Sequence, residues 1–536
     1  MRIVLVPNLP ITSHEGRAFI QPEMPLGLLA LLPLIPEPHV ATLIDPHALL
    51  RAMEGFGPAM IEMFADAALA NAPDVVGFTT RCDSYTKTLL VAAAVKARSP
   101  GTKIVLGGPQ ATQTDKETLT HFPFVDFIVR NEAEYSFPAL LACLVRDGDP
   151  ASVAGLTYRS RGGEVLRSPD LATLTDVELA PFPRYEALPW GKERGILELE
   201  VGRGCPFTCT FCSTNTFFSR SYRLKSPRRI AADIGRLVEL YGPGRPIVFV
   251  HDLFTVDQKR VRAICEYLIA HGPHVYWGCQ ARIDCVSEDL LTLMKKAGCV
   301  GIYFGVETGS EVMQRLISKK MDLKKVRPIV AHGLSLGLDV FTSLIYGFPQ
   351  ETPETLSATL QLAAQLSDMG AHVSLKRFAP IPGTPIMKEV GDRLRPTHHF
   401  SAFCGIDVSL LPGEEKLVED FPDIFSGHYT VVNEALPEDS IAFVDLYFDV
   451  IQSYKESSRL LRATVEGYDP LRVLEELMRG RQFGATSYRD RVLFLSRCFF
   501  EYWSDHLRRA QKEIPALRTE FDAHQARILD PLSMLP

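Results

Sequence analysis

The sequence lacks an apolar run that could cross a bilayer. Its most hydrophobic early stretch, Met24–Ile35, is broken by Pro25 and Pro33 and is too short for a membrane helix. No signal peptide precedes the strand-like start Met1–Val6. The 11 cysteines are odd in number and scattered, which excludes a disulfide framework and predicts a reducing, cytoplasmic setting. Positive charge is not in excess either. Lys and Arg number 57 against 64 Asp and Glu, a net charge of −7, so no nucleic-acid partner is expected. What remains is a large globular protein of 536 residues, 46% apolar and 23% charged. That length predicts about three domains.

Three cysteines stand close together in Gly202-Arg-Gly-Cys-Pro-Phe-Thr-Cys-Thr-Phe-Cys-Ser213, after a strand-like run. A [4Fe-4S] cluster normally takes four thiolates, so Cys205, Cys209 and Cys212 would leave one iron open to a small molecule. A structural zinc ion needs a fourth Cys or His at short spacing, and Ser213-Thr-Asn-Thr-Phe-Phe218 supplies none. The ligand set favours a cluster over zinc. Arg203, the Gly204 turn and Pro206 suit a loop whose backbone comes close to such a group. The densest basic stretch, Arg220–Arg229, reads as a solvated loop and helix start, or else as a site for an anionic group.

Cys-x3-Cys-x-aromatic-Cys, with Phe211 in the aromatic slot, resembles the signature of the radical S-adenosylmethionine (SAM) enzymes. The resemblance implies that three thiolates hold a [4Fe-4S] cluster and that SAM chelates the open iron through its amino and carboxylate groups. It implies that one electron, from an external donor such as flavodoxin or ferredoxin, cleaves SAM to a 5′-deoxyadenosyl radical.

Residues 1–167 alternate strand and helix. Strands are expected at Met1–Val6, Val40–Ile44, Asp74–Thr79, Lys103–Leu106 and Asp126–Val129, with a helix over Tyr85–Arg98. This order predicts an α/β, Rossmann-like, doubly wound parallel sheet whose ligand lies beyond the carboxyl ends of its strands. Thr79, Thr80, Gly107, Gly108 and Pro109 fall on that rim. The arrangement is similar to the cobalamin-binding domain that precedes many radical SAM cores. The resemblance implies that Thr79, Thr80, Gly107 and Gly108 line the tunnel for the nucleotide tail of cobalamin. No Asp-x-His-x-x-Gly follows the first strand, and Asp45-Pro-His47 follows the second and lacks the glycine. His47 is therefore not expected on cobalt. A nucleotide-like fold without a cofactor is the alternative.

A proline-rich linker over 168–194 is expected to run along the surface into a core over 195–395. The core repeats strand then helix six times, with strands at Ile196–Val201, Ile247–Val250, Val275–Gln280, Gly301–Gly305, Val340–Ile345 and His372–Phe378. That predicts a partial (β/α)6 barrel with its site at the C-terminal strand ends. His251-Asp252, Arg282, Glu307-Thr308, Gly347 and Arg377 recur there. By resemblance, Asp252 lies near the SAM amino group and Arg282 meets the SAM carboxylate or a substrate anion. Gly305-Val-Glu-Thr-Gly-Ser310 resembles the fourth-strand motif, so Glu307 contacts SAM, or pairs with Arg282 inside the barrel. Ile345-Tyr-Gly-Phe-Pro349 resembles the turn that packs on adenine, which brings Ile345 and Gly347 to the cofactor. Pro380–Pro385 resembles the loop after the last strand.

Residues 396–536 read as a helical C-terminal domain that closes the site and sets specificity, with helices at Ile441–Arg459 and Arg489–Arg509. Phe499, Phe500, Tyr502 and Trp503 read as core. Cys279 and Cys285 read as small buried residues rather than ligands. Cys404, Tyr429 and Tyr447 are minor candidates for proton or radical transfer.

Three functions compete. The leading one is cobalamin-dependent radical SAM methylation of an unactivated carbon in a peptide, lipid or small natural product. The second uses the same domains for rearrangement, cyclisation or epimerisation without methyl transfer. The third is a non-catalytic scaffold with a structural cluster, which the SAM-like elements at Glu307 and Gly347 disfavour.

Overall fold

The computed structural model describes residues 1–12, 18–19, 24–51, 57–171, 174, 176–397, 400–401, 406–407, 410–436, 444–464, 468–478, 488–509 and 516–529. They form two compact units, one of residues 1–302 and 379–430, the other of residues 303–378 and 431–536.

In the first unit the early apolar runs become β1 (Arg2–Val6), β2 (Val40–Leu43), β3 (Val75–Thr79), β4 (Lys103–Gly107) and β5 (Phe127–Val129). These five are parallel, in the order β2-β1-β3-β4-β5. The chain first winds outward from β1 to β2 and then returns to the other side of β1, so the direction switches between β1 and β3. Ligand crevices on open sheets form at such a point. Val75, Val76, Ile104 and Ile128 are fully buried, as expected for parallel strands covered on both faces. The sheet does not stop at β5. An antiparallel hairpin, β6 (Leu156–Arg159) and β7 (Val165–Arg167), extends it, so the sheet is mixed at one edge. Residues 410–430 return to this unit, where Leu411, Val418, Ile424 and Phe425 complete the core around Tyr85, Leu89 and Phe122.

The segment 168–194 is not merely draped on the surface. Tyr185, Leu188 and Trp190 are buried, and the Tyr185 hydroxyl donates to the Glu198 carbonyl at 2.7 Å. Burying those rings outweighs the extended habit of the prolines between them.

Six further strands follow in chain order: β8 (Leu197–Glu200), β9 (Ile247–Val250) and β10 (Trp277–Ala281) in the first unit, then β11 (Cys299–Glu307), and β12 (Asp339–Tyr346) and β13 (His372–Arg377) in the second. β8 pairs with β9, β9 with β10, and β12 with β13, all parallel. β11 begins in the first unit and ends in the second. Helices fill the connections because each has a stop and a start. Pro227–Tyr241 opens with the Ser226 hydroxyl accepting from Arg229 N–H and ends at Gly242 at φ +84°. Pro353–Met369 opens with a Thr352/Thr355 capping box and ends at left-handed Gly370. Each cap contributes about 1 kcal/mol.

The second unit adds the helices Val444–Ser453, Lys455–Thr464, Pro470–Met478, Tyr488–Arg509 and Ala516–Leu529. Phe499 and Trp503 are buried in it, as is Tyr447. Cys404 and residues 441–443 of the expected Ile441–Arg459 helix lie outside the described residues. Among the described residues no helix is long and apolar enough to cross a membrane.

Candidate functional site

The cysteine loop leaves the C-terminal end of β8 and is fixed from several sides within the first unit. Gly202–Arg203 pairs antiparallel with Arg223–Leu224. Gly204 sits at φ +82°, and a Cβ there would lie 2.2 Å from the Ser221 carbonyl oxygen, so only glycine fits the turn. Both Asp252 oxygens are taken by this loop: Oδ2 accepts from Gly204 N–H at 2.8 Å and Oδ1 from the Thr214 hydroxyl at 3.0 Å. Asn215 Nδ2 donates to the Cys209 carbonyl at 3.1 Å, and Ile386 N–H to that of Thr210 at 2.9 Å. The Arg282 guanidinium lies 3.9 Å from the centroid of the Phe207 ring.

Cys209 is buried, while Cys205 and Cys212 are partly exposed. Burial, with some help from the neighbouring Cys212 and Cys209, pushes the Cys205 thiol up to about 11. A bound metal reverses that preference, because a coordinating thiol loses its proton outright. Among the described residues no three His, Cys, Asp or Glu side chains converge as the ligands of a single metal ion. The donor set and the glycine-turned loop fit a [4Fe-4S] group.

His251, beside Asp252, accepts from Leu253 N–H through Nδ1 at 2.9 Å, which leaves Nε2 to donate to the Arg223 carbonyl at 3.2 Å. Burial pulls its pKa down to about 4, so the ring is neutral. It props the Arg223 strand against the loop.

A cavity of about 220 Å³ opens at the carboxyl ends of β3, β4 and β5. Its wall includes Phe78, Thr79, Gly107, Gly108 and Pro109, and also Glu132, Glu134 and Arg203. Gly108 stands at φ +93°, and a Cβ on it would meet Thr80 N and O at 2.9 Å and Thr79 Oγ1 at 3.1 Å. Thr80 does not face the cavity as a ligand group would: its hydroxyl donates to the Gly107 carbonyl at 2.8 Å and accepts from Ala111 N–H at 2.9 Å. It braces the Gly107-Gly108 turn instead. The cavity and its Gly107-Gly108 turn leave room for a ligand tail to lie close to the backbone. His47 lies on the helix Pro46–Arg51 and stacks on Trp190 with centroids 4.1 Å apart. Asp45 caps that helix, accepting from His47 and Ala48 N–H at 2.9 and 3.0 Å. Asp45-Pro-His47 is thus a helix start.

In the second unit Glu307 ends β11 in a left-handed conformation at φ +68°. Its Oε1 accepts from Lys319 Nζ at 2.8 Å. A Cβ at Gly305 would lie 2.5 Å from that oxygen, so a side chain there would displace the end of Glu307. Arg282, in the first unit, binds Asp284 at 2.6 and 3.1 Å. Lys319 carried no motif and was not foreseen. Its neighbours Ser318 and Lys320 both adopt φ +53°, and strain of that kind clusters at functional sites. Gly347, at φ +81°, donates its N–H to Glu351. Burial pushes Glu351 up to about 8, and its Oε1 has no partner. Ile345 is half-buried on the same strand face as Ser343. Phe211 lies half-buried in the cysteine loop.

Within the basic stretch Arg220 and Arg228 are exposed, as a solvated loop and helix start would have them, while three other cations are paired. Arg223 binds Glu132, Lys225 binds Asp233 at 3.1 Å, and Arg229 binds Asp233 at 2.8 Å.

Residues 199–363 match the Radical SAM superfamily, and residues 47–141 match the B12 binding domain. An uncharacterized methyltransferase of Pyrococcus horikoshii is 29% identical over 418 residues, covering 76% of this chain and 87% of that protein. An anaerobic magnesium-protoporphyrin IX monomethyl ester cyclase of Cereibacter sphaeroides is 30% identical over 414 residues, covering 74% of this chain and 64% of the cyclase. Among solved structures, the radical SAM methyltransferase TsrM of Kitasatospora setae, with cobalamin and [4Fe-4S] cluster bound, aligns with a TM-score of 0.63. That alignment covers 98% of this chain and 99% of TsrM at 14% identity, which shows a shared fold.

Proposed function

The chain belongs to the radical SAM superfamily and carries a B12-binding domain, and from that premise we propose that it is a cobalamin-dependent methyltransferase acting on an unactivated carbon. The observation that carries this reading is the pairing, within one compact unit, of a glycine-turned triad loop with a Rossmann cavity at a topological switch point. When bound, the cluster supplies one-electron cleavage of SAM and the corrinoid supplies a transferable methyl group.

The chain's own residues bind and orient these groups. Cys205, Cys209 and Cys212 hold the cluster, and Phe211 shields it. Asp252 and Arg282 keep the loop in place, Asp252 through Gly204 and Thr214 and Arg282 through Phe207. Glu307, neutralised by Lys319, and the Ile345–Gly347 turn contact SAM. Thr79, Gly107, Gly108 and Pro109 line the cobalamin tail site, and Thr80 fixes its turn. We assign residues 1–167 to cobalamin, 168–194 to a bridge, 195–395 to the radical core and 396–536 to closing the site over a small-molecule or peptide substrate. An oxygen-sensitive cluster calls for a reducing cytoplasm and an electron donor such as flavodoxin or ferredoxin.

A second reading, cyclisation without methyl transfer, is supported by the likeness to the ester cyclase. Product analysis separates the two. Methyl transfer gives S-adenosylhomocysteine together with 5′-deoxyadenosine, whereas cyclisation gives 5′-deoxyadenosine alone.

A further inference from the structure

Glu132 has no part in the chemistry above, yet its carboxylate binds three residues far from it in the chain. It follows β5, in Asn131-Glu-Ala-Glu134, and only 6% of its side chain is exposed. Oε1 accepts from Arg203 Nη1 at 2.7 Å, and Oε2 from Arg223 Nη1 at 2.8 Å and from Leu174 N–H at 3.0 Å. Arg203 is itself gripped three ways, since Nη2 reaches Glu134 at 2.6 Å and Nε reaches Glu200 at 3.0 Å. Arg223 Nε and Nη2 are buried without partners, so Glu132 is what compensates that charge.

Buried ion networks are a poor source of stability, because desolvation costs about as much as the attraction returns. Their better-attested use is to fix register. Here the register in question joins two places. Glu132, Glu134 and Arg203 line the Rossmann cavity together with Gly107–Pro109. Arg203 stands two residues before Cys205, and the intervening Gly204 is tied through its N–H to Asp252 Oδ2 at 2.8 Å. A shift of the Arg203 backbone is therefore passed to the first cysteine.

We propose that Glu132 is a positioning residue that locks the cysteine loop to the Rossmann cavity, so that a ligand in the cavity and a cluster on the loop each strengthen binding of the other. This rests on the reading that the cavity takes a corrinoid and the loop a cluster. Linkage makes the effect reciprocal, and coupling of this kind is typically worth about five- to a hundredfold in affinity. Glu132→Gln removes the charge and turns an amide N–H toward a guanidinium N–H, so the clamp opens while the volume is kept. Glu132→Asp keeps the charge with a shorter reach.

The test is hydroxocobalamin affinity by equilibrium dialysis, on the full chain with and without its reconstituted cluster. Wild type binds about tenfold tighter with the cluster than without it. Glu132→Gln binds both forms alike, at the affinity of cluster-free wild type, and Glu132→Asp regains part of the difference. Iron loss to a chelator slows on adding hydroxocobalamin in wild type and not in Glu132→Gln. Arg223→Gln breaks the same clamp from its other side and gives the same loss of coupling even where Glu132→Gln fails to fold. An equal ratio in wild type and both clamp variants, or no ratio in wild type, overturns the coupling and leaves the corrinoid reading standing. Wild type that takes up no hydroxocobalamin in either form overturns both.

Discussion

Gly107 and Gly108 are adjacent on the cavity wall, yet their substitution has opposite consequences. Gly108 sits at φ +93°, ψ 178°, a region open almost only to glycine, where another residue costs about 1–3 kcal/mol. Its Cβ would also press within 2.9 Å of Thr80 backbone atoms, which cannot swing aside like a side chain. Gly108→Ala should therefore lower Tm by several degrees, at about 2–4 °C per kcal/mol for a domain of this size. Gly107 has no positive φ, and its Cβ would meet only the Val129 carbonyl oxygen at 3.7 Å, an ordinary contact. Gly107→Ala should melt as wild type or slightly above it, since glycine in a strand costs about 0.5–1 kcal/mol relative to alanine. Gly107→Leu carries a large side chain into a cavity of about 220 Å³. It should keep the fold and lose at least about tenfold in cobalamin affinity, or about 1.4 kcal/mol. The assays are calorimetric melting and cobalamin absorbance after gel filtration. A Gly107→Leu protein that melts as wild type and retains full cobalamin would refute the assignment of this cavity. A Gly108→Ala protein with unchanged Tm would refute the steric argument.

Replacing Cys205, Cys209 and Cys212 together by alanine should abolish iron and sulfide uptake on anaerobic reconstitution; a full cluster in that variant sinks the ligand assignment. Glu307→Gln leaves Lys319 without its counter-charge and should slow SAM cleavage about tenfold or more while the cluster spectrum stays as in wild type. Equal cleavage rates would make Glu307 purely structural. Glu351 gives a pH test. Burial raises it to about 8 from an ordinary 4.5, so between those values the folded state holds a proton that the unfolded state has lost. Its contribution to stability is therefore present below about pH 4.5 and is lost as pH rises through 8. Glu351→Gln should flatten Tm against pH between 5 and 8 relative to wild type, and parallel curves would show that the carboxyl is not buried as described.

Much of the fold is legible in local pattern. The helices Tyr85–Arg98 and Pro227–Tyr241 and the strand Ile247–Val250 have the bounds that apolar period and flanking Pro, Ser and Gly imply. The hairpin β6–β7 was missed although Gly162-Gly163 between two β-branched and aromatic runs is a turn signal. Its strands are short and their outer residues polar, so composition resembles a loop. The buried rings of the 168–194 segment were hidden by its prolines. Long-range charge pairing lies beyond pattern altogether. Arg203 and Glu132 are 71 residues apart, and nothing near either announces the other. Lys319 reaches Glu307 only because two strained residues turn the chain back. The cysteine triad is the opposite case: its ligand types and spacing carry the chemistry within a few residues, and Asp252 and Phe207 became its supports only once the loop was folded.

The central claim is that one chain carries a radical SAM cluster and a methyl-bearing corrinoid. Its most direct test is the protein purified without oxygen, reconstituted, strongly reduced and given SAM labelled in its methyl group. The account predicts iron and sulfide in equal amounts, bound corrinoid, transfer of the label to that corrinoid, and S-adenosylhomocysteine released. Zinc in place of iron, or a protein that holds the cluster and cleaves SAM but never retains corrinoid or label, would contradict it.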